Sequence, residues 1–520
     1  MTTGELGPDA ADAGIVAGRA AVGEAGTEFS SRTVRTGRPR AMMFADATEA
    51  EAEAAADAAA AAFLHVQTQD EGRSPSALLR SIAAAVEDRR ADLVRIAADE
   101  TGLAPTRLEG ELTRTTAQLE LLAAEAAARS GRALDVDPGT DVAPELVLGQ
   151  VPLGPVAVFG ASNFPFAFGV LGGDTAAALA AGCPVVAKGH PAHPETSQLF
   201  GEIVTQTLER EGWPAGWFSL LHGRGTRIGQ ALVTADGIAA AAFTGSTRGG
   251  LALAAAAARR RVPIPVFAEL GGINALYLLP HAASDAAADA ASAFIDGLTR
   301  SVTGDGGQFC TKPGLLVLVD DEASRRVVDG LTRALAQVSS SPLLTPGIHA
   351  ALVTGQDRLS SHAGVTVLHE GPSADQSSTA PVASFLAAVS SHALRSDPTI
   401  AEELFGPALV VVRCKSVADL VDLVGAIPPG LTATVHAGAD DASTAAALLR
   451  RLRLRAGRVL FGGFPTGVRV GRATTHGGPF PATTAPGTTS VGARAIDRFV
   501  RPVTYQDLPA DLRERALTWT

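Results

Sequence analysis

The sequence predicts an α/β protein in which a parallel, doubly wound sheet is followed by a second α/β unit. Three observations predict it. Short apolar runs at 156–159, 184–187, 217–221, 239–243 and 266–270 have strand length, and each of the first four precedes a helix-like stretch. A further run, LLVLVD at 315–320, leads into the helix-like EASRRVVDGLTRALAQV, and 408–412 is another strand candidate. At 520 residues the chain also exceeds what one simple core organises, so two or three domains are expected.

Taken in order, residues 1–28 are Gly- and Ala-rich and are expected to form a loose leader. Residues 47–128 carry apolar side chains at spacings of three and four, and Gly102 supplies a helix stop. The stretch 175–187 is helix-like, bounded by Asp174 and Lys188, and shorter than the ~18 apolar residues that span a bilayer. From Phe461 onward Gly, Pro and Thr dominate, so this segment is expected to dock on another domain or subunit.

Composition narrows the function. A net charge of −11 disfavours nucleic acid as a partner, because phosphate binding needs a basic face. With 46% hydrophobic and 19% charged residues the chain is globular and not disordered. Three cysteines make no disulfide framework and point to a reducing compartment. The opening MTTGELGPDA lacks the basic and apolar regions of a signal peptide, so a cytoplasmic, membrane-free location is expected. Arginine almost replaces lysine, leaving Lys188, Lys312 and Lys415, and only Asn163 and Asn274 remain of the asparagines. Such survivors are enriched where a flexible point charge or an uncharged carboxamide is needed, with chance survival the alternative for any one of them.

The chemistry centres on GDGGQFCTKPG. Glycines 304, 306 and 307 let the backbone bend around Cys310, with Gln308 and Thr311 beside it. A reactive thiol must be reachable and must ionise from an ordinary pKa of about 8.5. Cys183 and Cys414, in apolar runs, read as packing residues. In VFAELGGIN, Glu269 ends an apolar strand before two glycines, either as a solvated strand end or as a base in a cleft. In VFGASNFPFAFG, Asn163 follows a strand and opens a helix, as an oxyanion donor or as an N-cap. FTGSTRGG places Gly245 and Ser246 at a helix N-terminus that suits a phosphate, without a G-x-G-x-x-G fingerprint. Lys188 ends a strand where an ammonium meets ribose or phosphate, and EELFGP carries Glu403 and Phe405.

In this order, Asn163, Lys188, Gly245–Ser246, Glu269, Cys310 and Glu403–Phe405 resemble the aldehyde dehydrogenase superfamily from about residue 29 to the C-terminus. The pairing of E-L-G-G with G-Q-x-C, 41 residues apart and followed by E-E-x-F-G-P, is highly specific. GGDTAAALAAGCPVVAKGHPAHPETS, GFPTGVRV and THGGPFPATT resemble the branch of 2,5-dioxovalerate dehydrogenases and a bacterial NADP-dependent fatty aldehyde dehydrogenase. Two positions depart from the pattern: Asp305 beside the nucleophile, which would raise its pKa if turned inward, and Ala275 where proline is common.

The resemblance implies an aldehyde dehydrogenase-like fold: a Rossmann-like cofactor domain at 29–134 and 154–268, and an α/β catalytic domain at 269–480. A small bridging or oligomerisation element at 135–153 and 481–520 completes it. It implies Cys310 as nucleophile, Glu269 as base and Asn163 as oxyanion donor. Lys188, Gly245, Ser246, Glu403 and Phe405 would bind NADP or NAD. Pro191, three residues after Lys188, replaces the acid that would repel a 2′-phosphate, so NADP is permitted. Phe164, Phe168 and Phe464 would line a substrate tunnel. His190, His193 and His476 match the branch and are placed as structural or supporting histidines, with no metal expected. A homodimer or homotetramer acting on a small aldehyde is implied, 2,5-dioxopentanoate first and a fatty aldehyde second. A cysteine acyltransferase or hydrolase without hydride chemistry and a silent structural relative are the other classes. Failure to bind dinucleotide would favour the former, and lack of thiol-dependent turnover the latter.

Overall fold

The computed structural model describes residues 11–69, 72–288, 293–371 and 381–519. They form two compact units: Met1–Glu269 with Val470–Thr474 and Thr488–Thr520, and Leu270–Arg469 with Thr475–Gly487.

The first unit is built on a sheet of seven strands. In spatial order these are Val266–Leu270, Ala240–Gly245, Val156–Phe159, Val185–Lys188, Phe218–Leu221, Gly14–Val16 and Arg19–Ala20. The helices expected after the first four runs are present at Gly173–Ala180, Pro194–Arg210, Arg227–Thr234 and Thr247–Ala258. Alternation along each strand explains why both faces are covered. Val156 and Val158 enter one core cluster while Ala157 and Phe159 enter another on the opposite face. Because 156–159 pairs in parallel with both 185–188 and 240–243, the chain winds outward in two directions from it. That arrangement opens a crevice at the strands' carboxyl ends. Four helices (Glu49–Thr68, Pro75–Asp88, Arg90–Thr101 and Pro105–Arg129) realise the helical stretch 47–128. The third of them ends on Gly102 at φ 69°.

Three expectations change in this unit. The leader is not wholly loose: residues 1–10 lie outside the described residues, but Gly14–Val16 pairs antiparallel with Phe218–Leu221. The stretch 175–187 is not one helix, because Gly182 at φ 80° breaks it and Val185–Lys188 is a strand. No helix opens at Asn163. The buried Glu111 carboxylate accepts the N–H groups of Phe166 and Ala167 at 2.9 and 2.8 Å, holding that segment as turns.

Asp135–Asp137, Leu146–Pro152 and Val500–Gln506 form a separate antiparallel sheet of three strands. In the second unit the strand order is Val365–Glu370, Phe385–Ser390, Ala408–Cys414, Pro313–Val319, Asn274–Leu278, Gly430–His436 and Ala456–Phe461. All neighbours there are parallel except the first pair. Ala275 and Tyr277 pack into one core cluster, Leu276 and Leu278 into the other. No helix among the described residues is long and apolar enough to cross a membrane.

Glu111 also pairs with Arg107, so its removal strands a charge as well as two buried N–H groups. Glu111→Ala is expected to cost about 3 kcal/mol or more of stability. Urea titration checks this, and a loss below about 1 kcal/mol would contradict the bridging role.

Candidate active site

Of the three cysteines, two are inert by burial. It pushes the Cys183 thiol up to about 12, and burial, with the Asp419 carboxylate adding to it, does the same for Cys414. Cys310 is only half-buried. It follows the Ala293–Thr303 helix on a turn in which Asp305, Gly306 and Gly307 have φ of 49°, 67° and 70°. Three successive left-handed residues reverse the chain sharply, and aspartate is among the few side chains that tolerate that region. Asp305 therefore has a backbone reason to be there. At Gly307 space matters as well, since a Cβ would stand 2.3 Å from the Gly406 backbone.

The loop is fastened from three sides. The Gln308 amide donates to the Asp305 carbonyl at 3.0 Å, and its oxygen accepts the Leu344 N–H at 2.9 Å. Asn274 Nδ2 donates to the carbonyls of Cys310 (2.9 Å) and Lys312 (3.1 Å). Its Oδ1 accepts the N–H and hydroxyl of Thr432 at 2.9 and 3.0 Å. Lys312 Nζ reaches the Ala408 carbonyl at 2.7 Å. Burial pulls this ammonium down to about 8, opposed by the Glu403 carboxylate. Glu403 and Phe405 are half-buried on the segment before the Ala408–Cys414 strand.

A residue without a derived role in the sequence stands beside the sulfur. His476 is buried, at 2% exposure, with Nε2 3.6 Å from Cys310 Sγ. Its segment lies close on two strands because glycines make room: a Cβ on Gly457 would meet the Gly477 carbonyl at 2.3 Å. Gly478, at φ 145°, has the Gly430 carbonyl 2.8 Å from where a Cβ would be.

In the first unit, Glu269 ends its strand 5% exposed and accepts the Ser490 hydroxyl at 3.1 Å, so it is not a solvated strand end. Asn163 lies on the turn after Val156–Phe159, its carbonyl accepting from Arg107 at 3.2 Å. Its alternative as an N-cap falls with the missing helix. Phe164 and Phe168 meet edge to face at 5.5 Å, with the Arg107 and Arg114 guanidiniums over them at 4.4 and 5.1 Å. Phe464, in the second unit, packs with Phe294 and His436 and presses on Gly297.

A cavity of about 160 Å³ opens at the carboxyl ends of the first unit's strands, bounded by Phe159, Lys188, His190, Gly229, Phe243 and Gly249 among others. Its walls are the Arg227–Thr234 and Thr247–Ala258 helices, and its lining holds no carboxylate. An apolar slot with one half-buried lysine fits a nucleotide's heterocycle and ribose. Burial lowers the Lys188 ammonium to about 8, partly offset by Asp46. Gly245 and Ser246 lead into the second wall, where Ser246 Oγ caps the helix by accepting the Gly249 N–H at 3.2 Å.

A doubly wound nucleotide-type sheet and a half-buried cysteine on a glycine-bent loop are features of a dinucleotide-linked enzyme that uses cysteine chemistry. Residues 28–478 match the aldehyde dehydrogenase family, and the chain belongs to it. It is 44% identical to alpha-ketoglutaric semialdehyde dehydrogenase 2 of Azospirillum brasilense over 85% of this chain and 84% of that one. With the alpha-ketoglutaric semialdehyde dehydrogenase of Acinetobacter baylyi it shares 39% over 90% and 89%. The fold matches the NAD-bound 1-pyrroline-5-carboxylate dehydrogenase from Thermus, with TM-score 0.80 and 22% identity over 95% of this chain and 92% of that one. The chain is thus an NAD(P)-dependent aldehyde dehydrogenase, as its motifs imply.

Asn274→Ala removes two donors and two acceptor contacts around the Cys310 loop. The expected outcome is a loss of about 3 kcal/mol in stability together with a marked fall in kcat. Chemical denaturation and steady-state kinetics check it; unchanged kcat in the folded variant would show that the loop is held elsewhere.

Proposed function

We propose that the chain oxidises 2,5-dioxopentanoate to 2-oxoglutarate with NADP or NAD, using Cys310, Glu269 and Asn163. The observation that carries the chemistry is the half-buried Cys310 on a fixed left-handed turn, whereas burial silences Cys183 and Cys414. The names of the two bacterial relatives support the substrate. So does the setting of the phenylalanines. Phe164 and Phe168, which alone would suit a fatty chain, lie under the Arg107 and Arg114 guanidiniums, and Phe464 packs inward. Guanidinium groups suit the substrate's remote carboxylate better than an alkyl tail.

In this mechanism the Cys310 thiolate attacks the aldehyde carbon and forms a thiohemiacetal. The Asn163 amide and the Cys310 N–H hold its oxyanion, each such donor contributing about 2.7–4 kcal/mol to the transition state. The dinucleotide, when bound, supplies the hydride acceptor that turns this adduct into a thioester. Lys188 would hold the adenosine ribose or its phosphate, Gly245 and Ser246 the phosphates, Glu403 the nicotinamide ribose and Phe405 the ring. Glu269 then takes a proton from water, whose oxygen attacks the thioester and releases the acid and the thiolate. The reading includes a cytoplasmic homodimer or homotetramer. Its motive is the edge strand Asp135–Asp137, which leaves Leu134 52% exposed and Val136 uncovered.

The test mixes purified protein with 2,5-dioxopentanoate or octanal, each with NAD or NADP, and follows the reduced-nicotinamide absorbance. The dioxo acid is expected to give the higher kcat/KM, and Cys310→Ala none. Preference for octanal would move the enzyme to fatty aldehydes. Glu269→Gln is expected to release about one equivalent of reduced cofactor in a burst and then turn over 10²–10⁴-fold more slowly. Unimpaired steady-state turnover in that variant would remove Glu269 from the water step.

A further inference from the structure

A thiol with a pKa of about 8.5 is only a few per cent thiolate at pH 7, so a nucleophile of this kind needs a proton acceptor. Glu269 serves poorly for both tasks: a carboxyl that has taken the thiol proton cannot take another from water until it is discharged. An imidazole, whose ordinary pKa is near 6.5, is matched to accept a thiol proton at neutral pH. His476 meets the geometric requirement within the second unit. Its Nε2 lies 3.6 Å from Cys310 Sγ, the ring is buried, and the Gly457 and Gly478 contacts leave its segment little freedom to withdraw.

We propose that His476, and not Glu269, accepts the Cys310 proton, so that the resting nucleophile is a thiolate–imidazolium pair. This rests on Cys310 being the nucleophile. In the step, the S–H bond breaks, its electron pair stays on sulfur, and the proton forms an Nε2–H bond. The imidazolium is not consumed. When water cleaves the thioester, sulfur leaves as thiolate beside the same cation and the pair is restored, while Glu269 handles only the water proton.

The other charged groups of this unit around the loop are Arg458, Lys312, Glu403 and Asp305. Arg458, on the Ala456–Phe461 strand, is half-buried with its guanidinium on the Pro465 and Gly467 carbonyls; burial lowers its pKa and a negative Cys310 opposes that. Lys312 turns its ammonium to the Pro313 and Ala408 carbonyls. Glu403 interacts electrostatically with that ammonium, and Asp305 is the one acid on the nucleophile turn itself.

The test is alkylation of the full chain by iodoacetamide from pH 5 to 9.5, without aldehyde or dinucleotide, with modification of Cys310 read by peptide mass. Wild type is expected to show a transition at least one unit below about 8.5. His476→Asn should move it to about 8.5 and slow the reaction roughly tenfold at pH 7, while Glu269→Gln leaves the profile in place. A wild-type transition at about 8.5 would overturn the pair without recourse to any variant. So would coincident profiles for wild type and folded His476→Asn, or an equal shift in Glu269→Gln. Because no substrate is present, failure here leaves the choice of aldehyde untouched, and failure of that choice leaves the pair standing.

Discussion

The second unit depends on one carboxamide. Asn274 is the first residue of an inner strand, and its carboxamide bonds to three residues. Its two donors go to the Cys310 and Lys312 carbonyls, and its oxygen takes the Thr432 N–H and hydroxyl. An uncharged carboxamide offers donors and an acceptor at opposite corners of one plane, whereas an aspartate would turn a carboxylate toward two carbonyls. The Cys310 carbonyl is thereby fixed, and its sulfur inherits a defined position. The left-handed turn, the Gln308 brace and the Lys312 anchor refine a place that Asn274 has already set.

The two units use parallel sheets from opposite ends. In the first, Lys188 and the nucleotide-shaped cavity lie at the carboxyl ends, as open α/β sheets ordinarily arrange their ligands. In the second, Cys310 precedes its strand, Asn274 begins one, Glu403 precedes another, and the His476 segment lies on the starts of two more. The rule that open sheets bind ligands at strand carboxyl ends therefore does not locate the cysteine. There the motif itself carries the position, through glycines that no buried structural thiol requires.

What was legible from sequence followed from local pattern. The four strand-then-helix pairs, the Gly102 stop and the glycine-bent turn before Cys310 are each written within a dozen residues. Of the few Lys and Asn residues, Lys312 and Asn274 are buried, Lys188 lines the first unit's cavity, Asn163 sits on a turn, and Lys415 is exposed at a strand end. The failures were tertiary. The alanine-rich 175–187 has helix propensity throughout, and only Gly182 marked the break. Asn163 looked like a helix start because nothing nearby shows that Glu111 takes the next N–H groups. His476 stayed without a role because its partner is 166 residues away and joined by a loop without periodicity. Its one local signal is the glycine pair that follows it.

The short strand Gly14–Val16 has a meaning beyond extra sheet. It lies antiparallel against Phe218–Leu221, and Gly14 comes so near that a Cβ would stand 2.1 Å from the Leu220 carbonyl. Without it, a fully buried parallel strand would present a row of bare amides and carbonyls to any extended peptide, including another molecule of the same protein. Residues 14–20, within the stretch that composition marks as a loose leader, thus act as a chaperone in miniature for their own sheet, and removing them would trade solubility for a sticky flank.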